Sequence, residues 1–291
     1  MSQVVAFPSR LRSADKAQVR YCDYEGYRLA YEEYGAPAAP PVFLIHGILL
    51  DSACNRDLAL TLAKRGYRVI LLDLLGHGRS DKPGHAKELR VDFFAEQLRT
   101  LMDHLGVDKA IIGGVSLGAI TSLTFATQYP QRVKALFLEM PVMERATPAA
   151  ALMLVPVLAM VRYAAPIPRL LARGVRQLPR PRSNLVQILY NGLAQEPEDI
   201  ASIIHGVLVG PVVPPRRERR KLDMPAMIIA HGGDWLHNIE DAQVLQHELP
   251  NAQLHIARSV LELRMKPQRL MPKILAFFEQ AEPPAAAERG V

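Results

Sequence analysis

Residues 41–45 (Pro-Val-Phe-Leu-Ile) form a short apolar run with no polar alternation, and residues 67–73, 109–113, 133–139 and 225–230 repeat the pattern. Runs of this length without alternation fit strands buried on both faces. Between them, residues 57–65, 91–105 and 117–128 carry apolar side chains at helical spacing. Strands and helices that alternate in this way predict a parallel sheet covered on both sides. Residues 18–23 and 28–34, separated by a turn at Gly26, predict an antiparallel hairpin ahead of it. After Met140-Pro141 the alternation stops, and Pro, Ala and Arg replace the strand-and-turn punctuation as far as residue 222. The pattern then resumes with a helix over Ile239–Glu248, a last strand over 253–257 and a closing helix over 265–278. The expected division is a core of 17–141 and 223–279, an inserted helical cap of 142–222 and an unstructured tail of 280–291.

Composition narrows the class. The chain has 291 residues, 49% apolar and 22% charged, with a mean hydropathy of +0.03, which suits one large core or at most two domains. Residues 1–16 contain no continuous apolar stretch of the secretory kind, which predicts a cytoplasmic protein. Cys22 and Cys54 are too few for a disulfide framework or a thiolate metal site and read as reduced thiols. The apolar stretch 146–161 contains Pro148 and Pro156 and, at 16 residues, falls short of the ~20 residues of a membrane span. The net charge of +6 is localised: residues 142–222 hold 12 Arg and Lys against 5 Asp and Glu, and the remainder is nearly neutral. A pI near 9.4 invites a nucleic-acid reading. No zinc-finger spacing or RNA-recognition signature supports it, so no nucleic-acid partner is expected.

Gly114-Val115-Ser116-Leu117-Gly118 is a G-x-S-x-G between an apolar strand and a helix. On a sharp strand-to-helix turn, flanking glycines let the backbone close up and the serine Oγ project above the sheet as a nucleophile. A glycine-rich packing turn whose serine caps a helix has the same local sequence.

Two further segments bear on that choice. His46-Gly47-Ile48 follows the first core strand, and Asp73-Leu74-Leu75-Gly76-His77-Gly78-Arg79-Ser80-Asp81 follows the second. With these, the chain over 18–278 resembles the α/β-hydrolase superfamily, in its capped esterase, lipase and C–C-bond hydrolase branch. The resemblance implies an α/β-hydrolase fold with a mostly parallel eight-stranded sheet and a helical cap. It implies Ser116 as nucleophile, Asp234 as the acid after the strand at 225–230, and the backbone N–H groups of Ile48 and Leu117 as an oxyanion hole. It also implies no metal and no organic cofactor. Its dehalogenase and epoxide-hydrolase branches use aspartate where this chain has Ser116. His46 and His77 fit structural roles in their turns.

The sequence departs from the family at the base. The family's histidine follows the last strand, where this chain has Val260, and no histidine follows His255. A serine without a base is a poor nucleophile. His237, on the loop after the strand at 225–230, could substitute, with Glu139 joining or replacing Asp234, because triads are defined by geometry rather than chain order. Otherwise the protein is a catalytically silent small-molecule binder, or its residual chemistry relies on the oxyanion hole and water. The first reading makes it a serine hydrolase of an ester or related acyl bond. Residues 149–161, apolar on all sides, fit burial against neighbours and also a roof over a lipophilic substrate. The run Arg216-Arg217-Glu218-Arg219-Arg220-Lys221 reads as a solvated turn and, combined with that roof, suits anionic lipids, acyl thioesters or peripheral membrane contact.

Overall fold

The computed structural model describes residues 18–233 and 236–284. Asp234 and the tail from residue 285, expected to be unstructured, lie outside the described residues. The strands are β1 (Val19–Tyr24), β2 (Tyr27–Tyr34), β3 (Pro41–Ile45), β4 (Arg68–Leu72), β5 (Ala110–Val115), β6 (Val133–Glu139), β7 (Ala226–His231) and β8 (Ala252–Ala257). They form one eight-stranded sheet in the order β1-β2-β4-β3-β5-β6-β7-β8. β1 and β2 are antiparallel and β2 is antiparallel to β4, while every pairing from β4 to β8 is parallel.

The apolar runs bury both faces of the sheet because successive side chains point to opposite sides. Phe43, Ile45, Ile70, Leu72, Ile112, Leu136, Leu138 and Ile228 join one apolar cluster. Their neighbours Val42, Leu44, Val69, Leu71, Ile111, Phe137, Met227 and Ile229 join the other. The first cluster is closed by α2 (Val91–His104), α3 (Leu117–Gln128) and α9 (Ile239–Glu248). The second is closed by α1 (Arg56–Ala63) and α11 (Met271–Ala281).

Between β6 and β7 the chain forms α4 (Thr147–Tyr163), α5 (Pro166–Gln177), α6 (Asn184–Leu193), α7 (Pro197–Val209) and the single turn α8 (Arg216–Arg219). The single closing helix expected over 265–278 is two helices, α10 (Glu262–Met265) and α11, separated by a 3-10 turn over Pro267–Arg269. Pro267 disfavours helical geometry in the residue before it, and Lys266 is non-helical at φ −139°, ψ 60°. The helix then runs through Ala281, past the start of the expected tail.

The cationic run at 216–221 is only partly a solvated turn. Arg219 is fully buried, with Nε 2.7 Å from Glu248 Oε2, Nη2 2.9 Å from Glu144 Oε1 and Nη1 donating to Pro214 O. Arg216 also faces Glu144 and Glu248. These carboxylates come from distant chain segments, so the sequence around the arginines gave no sign of them. Residues 149–161 likewise divide: Leu154 and Val161 are buried, whereas Leu152 and Val155 are exposed. Among the described residues no single helix is long and apolar enough to cross a membrane. The pair α4 and α5 reaches that composition together but is bent by 91°.

Candidate active site

The order of strands reverses at β3: the chain passes from β3 outward to β4, then returns to β5 on the other side. The loops that leave β3 and β5 therefore part to opposite sides and open a crevice at the carboxyl edge of the sheet. His46-Gly47 leaves β3 there and Ser116 leaves β5.

Ser116 has φ 53° and ψ −110°, between β5 and the first residue of α3. A non-glycine residue in this region costs of order 1–3 kcal/mol and persists only where its surroundings hold it. The turn is held because Ser116 N donates to Glu139 O at 2.8 Å while its carbonyl accepts from Ala119 and Ile120. Tight packing explains the flanking glycines. A Cβ at Gly118 would sit 2.2 Å from Ile45 O, and one at Gly114 2.4 Å from the same atom. Leu49 and Met140 also have positive φ, so three of the four such non-glycine residues described lie in loops leaving β3, β5 and β6.

His237 Nε2 lies 3.1 Å from Ser116 Oγ. The loop after β7 thus brings the ring to the serine across 121 positions of chain. Glu139, weighed above as an orienting acid, gives both carboxylate oxygens to Arg264, with Oε2 2.9 Å from Nη2 and Oε1 bonded to Nη1. Val260 is 39% exposed on the loop after β8. Asp234 cannot be placed, because it lies outside the described residues.

The backbone expected to form an oxyanion hole lies on the two segments beside the elbow. Leu117 opens α3, and first-turn amides of a helix have no intrahelical acceptor. Gly47 lies against the elbow, where a Cβ would be in van der Waals contact with Ser116 Cβ at 3.7 Å. His46 is buried and uses both ring nitrogens on backbone: Nδ1 lies 2.8 Å from Gly47 O, and Nε2 accepts from Leu74 N at 3.0 Å. Burial holds its pKa below the ordinary histidine value, which suits a neutral ring that donates at one nitrogen and accepts at the other. His77 packs against it with ring centroids 4.8 Å apart and is pushed well down by burial.

Asp73 fixes the turn after β4. Its Oδ1 accepts from Ser52 N at 2.7 Å and its Oδ2 from the backbone and Nε of Arg79, both at 3.1 Å. Beneath this lies an ion cluster on Glu32, which accepts from Arg56, Arg79 and the Tyr34 hydroxyl. Burial pushes the Glu32 carboxyl up, but the Arg56 hydrogen bonds and the two arginine charges outweigh it and bring it down to about 2. Burial drives Cys54 the other way, up to about 12, so its thiol is no rival nucleophile.

Four polar contacts fasten the inserted segment to the rim of the crevice. Asn184 Nδ2 donates to Asp57 Oδ1, Arg56 Nη1 to Gln187 Oε1, Asn191 Nδ2 to Asp51 Oδ2 and Gln195 Nε2 to Leu49 O, at 2.7, 2.7, 2.5 and 2.7 Å. Residues 184, 187 and 191 share one face of α6, and Gln195 follows just past its end. Against the elbow, an apolar pocket is lined by Ser116, Ile48, Ile120, Leu154, Val207 and Leu236, among others. The inner face of α4 thus lines the same pocket as Ser116, whereas the sequence offered only an apolar stretch without a sidedness. Among the described residues no group of His, Cys, Asp and Glu is spaced to hold a metal ion.

The α/β-hydrolase fold profile matches residues 40–259. Lipase 1 of Psychrobacter immobilis is 35% identical over 120 residues, which are 39% of this chain and 35% of the lipase. The chain spans little more than a third of the length of such curated relatives. Among solved structures, an enol-lactonase from Burkholderia xenovorans LB400 superposes with a TM-score of 0.72 at 20% identity, over 89% of this chain and 99% of that one. A thermophilic esterase from Thermogutta terrifontis gives 0.71 at 24% identity, over 91% and 99%. The protein belongs to the α/β-hydrolase fold family.

Proposed function

We propose that the protein is a serine hydrolase that cleaves an ester or related acyl bond of a lipophilic small molecule, with Ser116 as nucleophile and His237 as its base. The observation that carries this reading is the 3.1 Å separation of His237 Nε2 from Ser116 Oγ. That is within the reach a base needs to take the hydroxyl proton as the serine attacks. The Ile48 and Leu117 amides would receive the negative charge that develops on the carbonyl oxygen, where fixed donors in a dry site stabilise it by several kcal/mol. Asp234 is assigned as the acid that orients His237, by its place after the strand at 225–230, where the family's acid stands. His237 then returns the proton to the leaving group, and a water activated by the same ring releases the acyl chain.

The apolar lining beside Ser116 supports a lipophilic acyl or alcohol portion. The inserted helices act in this reading as a cap that roofs the site, and a membrane is a natural source of such a substrate. A catalytically silent binder, the reading that Val260 favours, would have no need of a histidine held against the serine. The deciding experiment measures kcat/KM for p-nitrophenyl esters with the full chain and with Ser116→Ala. Turnover that falls to the uncatalysed level in the variant supports the hydrolase, and no turnover by the native chain supports the binder.

A further inference from the structure

From Thr147 to Leu193 the chain has six arginines and no Asp, Glu or Lys. The helices in this stretch also turn apolar stripes to solvent. On α4 the exposed positions are Leu152, Val155, Met160 and Tyr163, and on α6 they are Val186, Leu189 and Leu193. On α5 they are Ile167, Leu170 and Leu171, continued by Leu178 just past its end, with exposures of 73%, 72%, 54% and 59%. Positions 167, 170 and 171 share one face of α5 and Arg169, Arg173 and Arg176 occupy the opposite face, while Leu178, in extended geometry, and Arg180 follow the helix end at Gln177. Arg169 pairs with Glu198 and Arg176 with Glu196, both of which belong to the segment around α7. Arg162, Arg173, Arg180 and Arg182 are exposed and have no carboxylate partner among the described residues.

A segment that carries exposed leucines on its helices and exposed arginines beside them is of the kind that lies in a bilayer interface, apolar side chains in the acyl boundary and cations at anionic headgroups. Neither helix can span, and the 91° bend between α4 and α5 keeps them as two separate segments. We infer that α4 and α5 form a docking surface for the face of an anionic phospholipid bilayer. The basis is the combination of exposed apolar stripes with four arginines that have no carboxylate partner among the described residues, Arg162 on α4, Arg173 on α5 and Arg180 and Arg182 just after it, and no acid in the same stretch. The cationic run at 216–221 is not this surface, because Arg219 is buried and Arg216 is committed to Glu144 and Glu248. α4 meets the proposed bilayer on one side, while Ala150, Ala151, Met153 and Leu154 on it line the pocket at Ser116. Docking would therefore place the pocket one helix thickness from the lipid. The inference deepens the hydrolase reading by naming where a lipophilic substrate comes from, although binding itself does not depend on Ser116 chemistry.

The test is co-sedimentation of the full chain carrying Ser116→Ala, so that no lipid is consumed, with vesicles of phosphatidylcholine and with vesicles of equal parts phosphatidylcholine and phosphatidylglycerol. The expected result is pelleting with the mixed vesicles, release by salt, and little binding to phosphatidylcholine alone. Arg173→Ala and Arg180→Ala should each weaken partitioning about fivefold. Leu170→Ser and Leu171→Ser should each weaken it about tenfold or more. In the native background these leucine variants should leave hydrolysis of a soluble short-chain ester unchanged, which separates docking from catalysis. Equal partitioning to both vesicle types, or none to either, overturns the inference. So does a concentration-dependent dimer in sedimentation velocity that Leu170→Ser dissolves, since the face would then be covered by a second copy.

Discussion

His237 Nε2 and Ser116 Oγ stand 3.1 Å apart although the two residues are 121 positions apart in the chain. Ser116 is fixed by the turn from β5 to α3 and His237 by the loop after β7, so the pair exists only because both strands end at the same edge of the sheet. On the proposed assignment of His237 as base, the position after β8, where Val260 stands, takes no part in proton transfer.

His237→Gln should therefore lower kcat/KM for ester hydrolysis by about 10²–10⁴, the usual contribution of a general base, with an unchanged far-UV circular dichroism spectrum. Val260→His in the native background should change the rate little. A Val260→His gain larger than the His237→Gln loss would place the base on the β8 loop instead.

In the proposed hydrolase the apolar pocket beside Ser116 would set an acyl preference. Esters should be cleaved with rising kcat/KM from acetate towards octanoate, by at most about fourfold per buried methylene at ~0.8 kcal/mol each. Ile120→Trp, which fills the pocket, should lower the octanoate rate more than the acetate rate. Steady-state kinetics across the series would read a flat or falling trend as evidence against a lipophilic pocket.

The ion cluster on Glu32 makes stability pH-dependent. Its carboxyl is held at about 2 against an ordinary value of 4.5. A depressed folded-state pKa contributes stability that is fully present above the unfolded value and is lost as pH falls through the folded value. The difference corresponds to about 3 kcal/mol, lost between pH 4.5 and 2. Glu32→Gln leaves Arg56 without its carboxylate and Arg79 with Asp73 alone, and should cost about 3–5 kcal/mol near neutrality. It should also flatten that part of the profile, as thermal melts at several pH values would record.

Two glycine substitutions should act in opposite directions. Gly118→Ala forces a Cβ to within 2.2 Å of Ile45 O and 2.8 Å of His46 O, both backbone atoms. It should lower Tm by the equivalent of about 1–3 kcal/mol or more and displace the strand end that carries His46-Gly47. Gly174→Ala, in α5 with nothing within 4 Å of the new Cβ, should stabilise by about 0.5–1 kcal/mol. Differential scanning calorimetry on the two variants checks both signs.

How much of this was legible in the sequence depends on range. β3, β6, α3 and α9 have the bounds expected from hydrophobic period and punctuation alone, because Gly, Pro and Asn mark their ends locally. The closing helix divides at Pro267, a breaker that the apolar pattern across 265–278 masked. The G-x-S-x-G turn could be read because its strain and its glycines are local. The distance from His237 to Ser116 could not, because it depends on how two loops meet at the sheet edge. Glu139 drew attention at the end of β6, but the arginine that takes both its oxygens arrives from α10, 125 positions on. Arg219 looked like one more solvated cation until Glu144 and Glu248 closed around it. An all-apolar helix suggested burial at α4, whereas only its inner side packs and its outer side meets solvent.

The activated state of Ser116 is the central claim, and covalent labelling by a fluorophosphonate probe tests it without any knowledge of the substrate. The native chain should take the probe at Ser116, identified by peptide mass mapping, with rapid kinetics that His237→Gln slows and Ser116→Ala abolishes. Labelling at any other residue, or none after long incubation of a folded chain, would contradict a serine activated by His237.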